Sequence, residues 1–110
     1  MQKVKLPDTI SVSYHNLEIK YLSGYVSNEI ADQQGCYMAR DMLIYLDKDI
    51  MDAGGTRAVS LLIHELGHAL YYIFNLKEAE EERTVDSFAN GYTEILHRNP
   101  QLKKWINANT

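Results

Sequence analysis

The sequence predicts a single α+β domain over residues 1–110, in which a small, mostly antiparallel sheet packs on one long helix, with a second helix beside it and a short helix at the C-terminal end. Three observations predict it. Strand-like alternation of apolar and polar residues is confined to the first half of the chain. Beyond Gly54-Gly55 the apolar residues recur at helical spacing instead. No internal repeat, low-complexity tract or Gly/Ser linker marks a second domain, and 110 residues suffice to bury one core.

Ile10, Val12 and Tyr14 alternate with Ser11 and Ser13, the period-two pattern of a half-buried strand. Residues 16–34 keep no clear period and receive no assignment. Gly35 to Met38 and residues 42–46 flank Ala39-Arg40-Asp41, which reads as a hairpin with a short loop. After the glycine pair Thr56 suits an N-cap, and residues 57–74 contain no proline and one glycine, Gly67. Leu62, Leu66, Ala69 and Ile73 form the apolar face of that helix. A second helix is expected over about residues 79–97, with Val85, Phe88, Ala89, Tyr92 and Leu96 as its apolar stripe. Pro100 suits the first turn of the third helix, which carries Leu102, Trp105 and Ile106.

Composition narrows the function classes. An apolar share of 45% with 24% charged residues is ordinary for a globular protein and does not point to disorder. Apolar runs are short, Ser60-Leu61-Leu62-Ile63 leading straight into His64 and Glu65, and none approaches the roughly 20 residues that cross a bilayer. The N-terminal Met-Gln-Lys-Val-Lys-Leu-Pro lacks the apolar stretch of a secretory signal, so the expectation is a cytoplasmic protein without a membrane partner. The net charge of −4 and the scatter of the eleven basic residues argue against a nucleic-acid partner, Lys103-Lys104 being the only adjacent pair. Cys36 is the only cysteine, which excludes an internal disulfide and a thiolate metal cluster. It is expected as a small buried residue beside Tyr37.

His64-Glu65-Leu66-Gly67-His68 places His-Glu-x-x-His inside the first long helix. Residues four apart stand about 40° apart around the axis, so both imidazoles leave one face a single turn apart. Two nitrogens so placed can share one zinc at about 2.0–2.1 Å. Glu65, one step round, reaches a metal-bound water without being a ligand, as a general base must. The uncharged neighbours Leu61, Leu62, Ile63, Leu66, Gly67, Ala69 and Leu70 suggest that this turn is buried, where polar groups without partners would be costly. A catalytic zinc takes a third protein ligand and keeps one position open. His15, in an expected turn, and His97, near a helix C-terminus, read as surface residues. Glu82 and Asp86 lie one turn apart on the second helix, so Glu82 is the expected third ligand, with Glu81 its chief rival. Asp86 is then placed to receive the free ring N–H of a ligating histidine. Some of the acids between residues 78 and 83 read simply as a solvated helix start.

His64-Glu65-Leu66-Gly67-His68 followed by Glu82-x-x-x-Asp86-x-Phe88-Ala89 resembles the gluzincin metallopeptidases, and more narrowly the ImmA/IrrE-type peptidases and their small phage-encoded relatives. The resemblance covers roughly residues 35 to 98 and rests mainly on the two helices. It implies a minimal zincin-like domain, a metallo-endopeptidase with Zn2+ on His64, His68 and Glu82, Asp86 supporting a ligand, Glu65 as general base and acid, and a peptide or protein as substrate. Val85 departs from the alanine usual in that family, and no helix-turn-helix segment precedes the domain, so a repressor target is not implied. The strand at Gly35 to Met38 is a candidate edge for an extended peptide. Tyr37, Tyr71, Tyr72 and Tyr92 are the candidate oxyanion donors. Residues 105–110 are a candidate self-inhibitory tail. The competing reading is a catalytically silent zinc-binding interaction or regulatory module.

Overall fold

Four strands and four helices make up the described part of the chain, in a computed structural model that describes residues 4–23 and 35–110. They are β1 (Thr9–Val12), β2 (His15–Leu22), β3 (Gly35–Met38), β4 (Leu43–Asp47), α1 (Lys48–Ala53), α2 (Gly55–Ile73), α3 (Glu81–Arg98) and α4 (Pro100–Asn109). The side chain of Cys36 lies outside what is described, as do residues 24–34. None of the described helices is long and apolar enough to cross a membrane.

The strands form one mixed sheet in the order β1-β2-β4-β3. Its β1–β2 and β3–β4 pairings are antiparallel and its β2–β4 pairing is parallel, so the sheet is mostly antiparallel, as expected, around one parallel join. The join arises because β3 precedes β4 in the chain but is added outside it in the sheet. Alternation puts Ile10, Val12, Leu17, Ile19, Ile44 and Leu46 on the buried face. There they belong to one core with Ala58, Val59, Leu62, Leu66, Ala69 and Leu70 of α2.

Three expectations about the strands and the first helices are corrected. The strand ends at Val12, because Ser13 has a left-handed φ of 54° and turns the chain; Tyr14 is 99% exposed. His15 opens β2, paired with Val12, rather than lying in a turn. α1 is an additional six-residue helix, started by the Asp47 carboxylate accepting from Ile50 N–H at 3.1 Å and held by buried Ile50 and Met51. It leaves Gly54, not Thr56, as the cap before α2.

The stripe on α3 is also rotated from the expected one. Its buried residues are Gly91 and Ile95, with Phe88 and Tyr92 packed at the margin, whereas Val85 is 54% exposed and Ala89 faces solvent. A Cβ on Gly91 would lie 2.6 Å from Leu70 Cδ2, so the missing side chain is what lets α3 settle on α2. A stripe drawn through apolar side chains does not count a glycine as a contact.

The two sheet edges differ. Beside β1, the buried Asn99 amide accepts from Ser11 N–H at 2.9 Å and donates to Ser11 C=O at 2.9 Å and Ile95 C=O at 2.7 Å, imitating a further strand. Ser13 N–H donates to Glu94, and Arg98 donates to Ser13 C=O at 2.6 Å. Those contacts satisfy the outer backbone groups that an edge strand otherwise presents. Beside β3 no other described strand pairs.

α4 contributes Leu102 and Trp105 to the core, 0% and 4% exposed, and Asn109 accepts from Gly55 N–H at 2.9 Å at the start of α2. The C-terminal residues are therefore a structural brace. This corrects the self-inhibitory tail, since a segment holding the core and the start of α2 is not free to fold over a cleft.

Candidate metal centre

α2 presents its apolar face to the sheet and carries the histidines on the outward face. His64 and His68 are exposed, Glu65 is 3% exposed, and Ile63 is 41% exposed. The expected burial of the whole motif is thus met by Glu65 but not by the imidazoles. The helix has one buried side, and the residues that fill it are Leu62, Leu66, Ala69 and Leu70.

The two Nε2 atoms lie 3.1 Å apart, with ring planes at 81°. Two nitrogens bound tetrahedrally at about 2.0–2.1 Å from one ion would be roughly 3.3 Å apart. The separation of the pair is close to that distance. Ligand atoms of His64, Glu65 and His68 all lie within 4.8 Å of one another, so the structure contains a His-Glu-His group able to hold a metal. Burial pushes the Glu65 carboxyl above its ordinary pKa, and the nearby His68 and His64 pull it partly back.

β3 closes over this carboxylate. A Cβ on Gly35 would stand 3.0 Å from Glu65 Cγ, 3.0 Å from Glu65 Oε2 and 3.1 Å from Leu61 Cδ1. Gly35→Ala is therefore expected to displace the carboxylate and to lower the melting temperature, as overpacking of a closed contact does. Thermal unfolding of the variant beside wild type checks it; an unchanged melting temperature would mean that β3 yields and the contact is not tight.

α3 runs back along α2. Arg83 donates to Phe74 C=O at 2.9 Å and Asn75 C=O at 3.3 Å, which fixes the first turn of α3 at the C-terminal end of α2. Tyr92 donates to Ile63 C=O at 2.8 Å, and its hydroxyl would stand 3.0 Å from a Cβ on Gly67. Glu81, Glu82 and Asp86 are exposed and do not belong to the His-Glu-His group. Phe74 lies beyond His68 by about 9 Å of helix rise. His15 is half-buried at the start of β2, and His97 is exposed in the last turn of α3.

Of the candidate oxyanion donors, Tyr92 is engaged with Ile63, and burial raises its pKa. Tyr37 contacts Met42 Sδ at 3.6 Å and meets Tyr72 edge-on, with centroids 6.3 Å apart. Tyr72 follows His68 by one turn on the same helix face and is 57% exposed, while Tyr71 is 43% exposed.

A hollow of about 720 Å³ adjoins the group, lined by Gly35, Thr56, Arg57, Ser60, Leu61, His64 and Glu65. Sequence reasoning missed Arg57 and Ser60, although Arg57, Leu61 and His64 stand at helical spacing on one face. A larger hollow of about 980 Å³ lies elsewhere, between the N-terminal segment, α1 and α4, and brings Tyr21 near Asp8 and Asp52. None of the described residues that line it is a histidine or cysteine.

Comparison of the chain with protein-family models, with curated proteins and with solved structures finds no match.

Proposed function

We propose that the protein is a zinc-dependent metallo-endopeptidase of the gluzincin type, similar to the ImmA/IrrE peptidases, with His64 and His68 as metal ligands and Glu65 as the catalytic base. The observation that carries this reading is the 3.1 Å approach of the two Nε2 atoms beside the buried carboxyl of Glu65. Bound zinc supplies a water of lowered pKa and a Lewis acid for the scissile carbonyl. Glu65 accepts the proton of the attacking water and delivers it to the departing amine.

Glu82 is proposed as the third ligand, and Asp86 as the acceptor for a ligand ring N–H. Ligation by Glu82 would draw the first turn of α3 toward His68, against the hydrogen bonds of Arg83 to Phe74 and Asn75. The buried residues of α3, Gly91 and Ile95, both lie in its C-terminal half, so that movement would break the Arg83 contacts but no fully buried packing of α3. The peptide is proposed to add to the outer side of β3, next to Glu65, where no described strand pairs.

Zinc titration of metal-stripped protein, followed by assay against a varied peptide library, tests the reading. One equivalent of zinc and hydrolysis that depends on it are expected, and a protein that takes up no zinc overturns it. Glu82→Ala is expected to weaken zinc binding without abolishing it, and unchanged affinity would remove Glu82 from the ligand set. The position of Glu82 outside the His-Glu-His group favours one alternative, an inert zinc module whose remaining ligand comes from a partner protein. Stoichiometric zinc with no hydrolysis of any library peptide would select that alternative.

A further inference from the structure

The hollow beside His64 and Glu65 contains a cation that the chemistry above does not use. Arg57 precedes His64 by two turns on the same helix face, about 10 Å along the axis. It is exposed and makes no hydrogen bond or ion pair with any described residue. The arginines of α3 are both committed, Arg83 to the end of α2 and Arg98 to Ser13 and Glu94. Thr56 and Ser60 add hydroxyl groups to the wall on either side of Arg57. The first turn of α2 holds no acidic residue, and the neutral Asn109 amide, which accepts from Gly55 N–H, leaves the charge of the positive helix end uncompensated. A negative group entering this end of the hollow meets a guanidinium, hydroxyl donors and a favourable dipole together.

We propose that Arg57, with Thr56 and Ser60, forms a subsite for a carboxylate carried by the peptide substrate some two or three residues from the scissile bond. The proposal rests on the peptidase reading of the same site. An extended peptide advances about 3.3 Å per residue, so the 10 Å between His64 and Arg57 corresponds to three residues, less the reach of the guanidinium. Arginine matches a carboxylate in two parallel hydrogen bonds, a geometry that a neutral amide does not satisfy. The carboxylate belongs either to an Asp or Glu side chain or to the C-terminus of the peptide. With a net charge of −4 the chain does not attract acidic peptides at long range, so the preference arises on contact.

The test uses zinc-loaded Glu65→Gln protein, which holds a peptide without cutting it, and fluorescein-labelled alanine-rich peptides read by anisotropy. One set moves a single Glu or Gln along the peptide; a second compares a free C-terminal carboxylate with an amide. Either one side-chain position or the free terminus is expected to bind about tenfold more tightly than its neutral counterpart, the scale of a charge-assisted pair. Arg57→Ala in the same background should bring that ratio to one, and Arg57→Glu should transfer the preference to a Lys-bearing peptide. Melting temperature and zinc stoichiometry confirm that the variants are folded. The proposal is overturned if no position and no terminus discriminates, if no peptide binds, or if the ratio survives Arg57→Ala. Cleavage of the same peptides by wild-type protein is scored separately. Discriminating anisotropy without any cleavage would end the peptidase reading and leave the carboxylate subsite standing.

Discussion

Replacing Glu65 with glutamine is expected to slow peptide hydrolysis by about 10²- to 10⁴-fold, the contribution typical of a general base, while zinc stoichiometry stays at the wild-type value. Glutamine is the informative substitution because the side chain is enclosed, with Gly35 of β3 against its Cγ and Oε2. An isostere preserves that packing and removes only the proton acceptor. Zinc content and turnover, measured on one preparation, decide the result. Loss of zinc in the variant would make Glu65 a ligand, which its membership of the His-Glu-His group also allows.

The same variant has a consequence for metal-free protein. Burial raises the folded-state pKa of Glu65 above its ordinary value of 4.5, so folding favours the protonated carboxyl. Its contribution to stability is fully present below 4.5 and is lost as pH rises through the elevated folded value. Glutamine is neutral at every pH. Metal-free Glu65→Gln should therefore melt above metal-free wild type at pH 7, with the difference closing in acid. Coincident melting curves at pH 7 would mean that the carboxyl is solvated rather than enclosed.

The second large effect concerns the ligands. Zinc that binds only the folded state stabilises it by mass action, by about 2.7 kcal/mol at a hundredfold excess over Kd. For a domain of this size that raises the melting temperature by roughly 10 °C. His68→Ala is expected to abolish the shift at the same zinc concentration, and His64→Ala to do likewise, because a single imidazole leaves the ion mostly to water. Both side chains are exposed, so neither replacement opens a cavity, and the metal-free melting temperatures should stay close to wild type. A zinc-induced shift that persists in both variants would place the ion elsewhere on the protein.

Much of the centre is legible from residue order because it is local. A His pair four residues apart on a helix must converge, and the helix is predictable from the spacing of Leu62, Leu66 and Ala69. The hairpin of β3 and β4 and the proline start of α4 are local in the same sense. Parts that depend on another element are not legible. α1 is a six-residue helix held by one cap and two buried side chains, too short to give a period. Tyr14 continues an alternation that the left-handed turn at Ser13 cuts off. The exposed imidazoles among apolar neighbours follow from α2 burying a single side, which residue type alone does not specify.

Within each element, then, sequence spacing determined which side chains share a face: His64 with His68, and Glu82 with Asp86. Only tertiary packing decided how those faces meet. The fit of Gly91 on Leu70 sets the rotation of α3, and Arg83 on Phe74 and Asn75 sets its axial position. Asn99 covers one edge of the sheet, while β3, paired with β4 alone among the described strands, stands beside Glu65. The physical reason is range: backbone geometry repeats over a few residues, whereas interlocking surfaces depend on the size and hydrogen bonding of residues far apart in the chain.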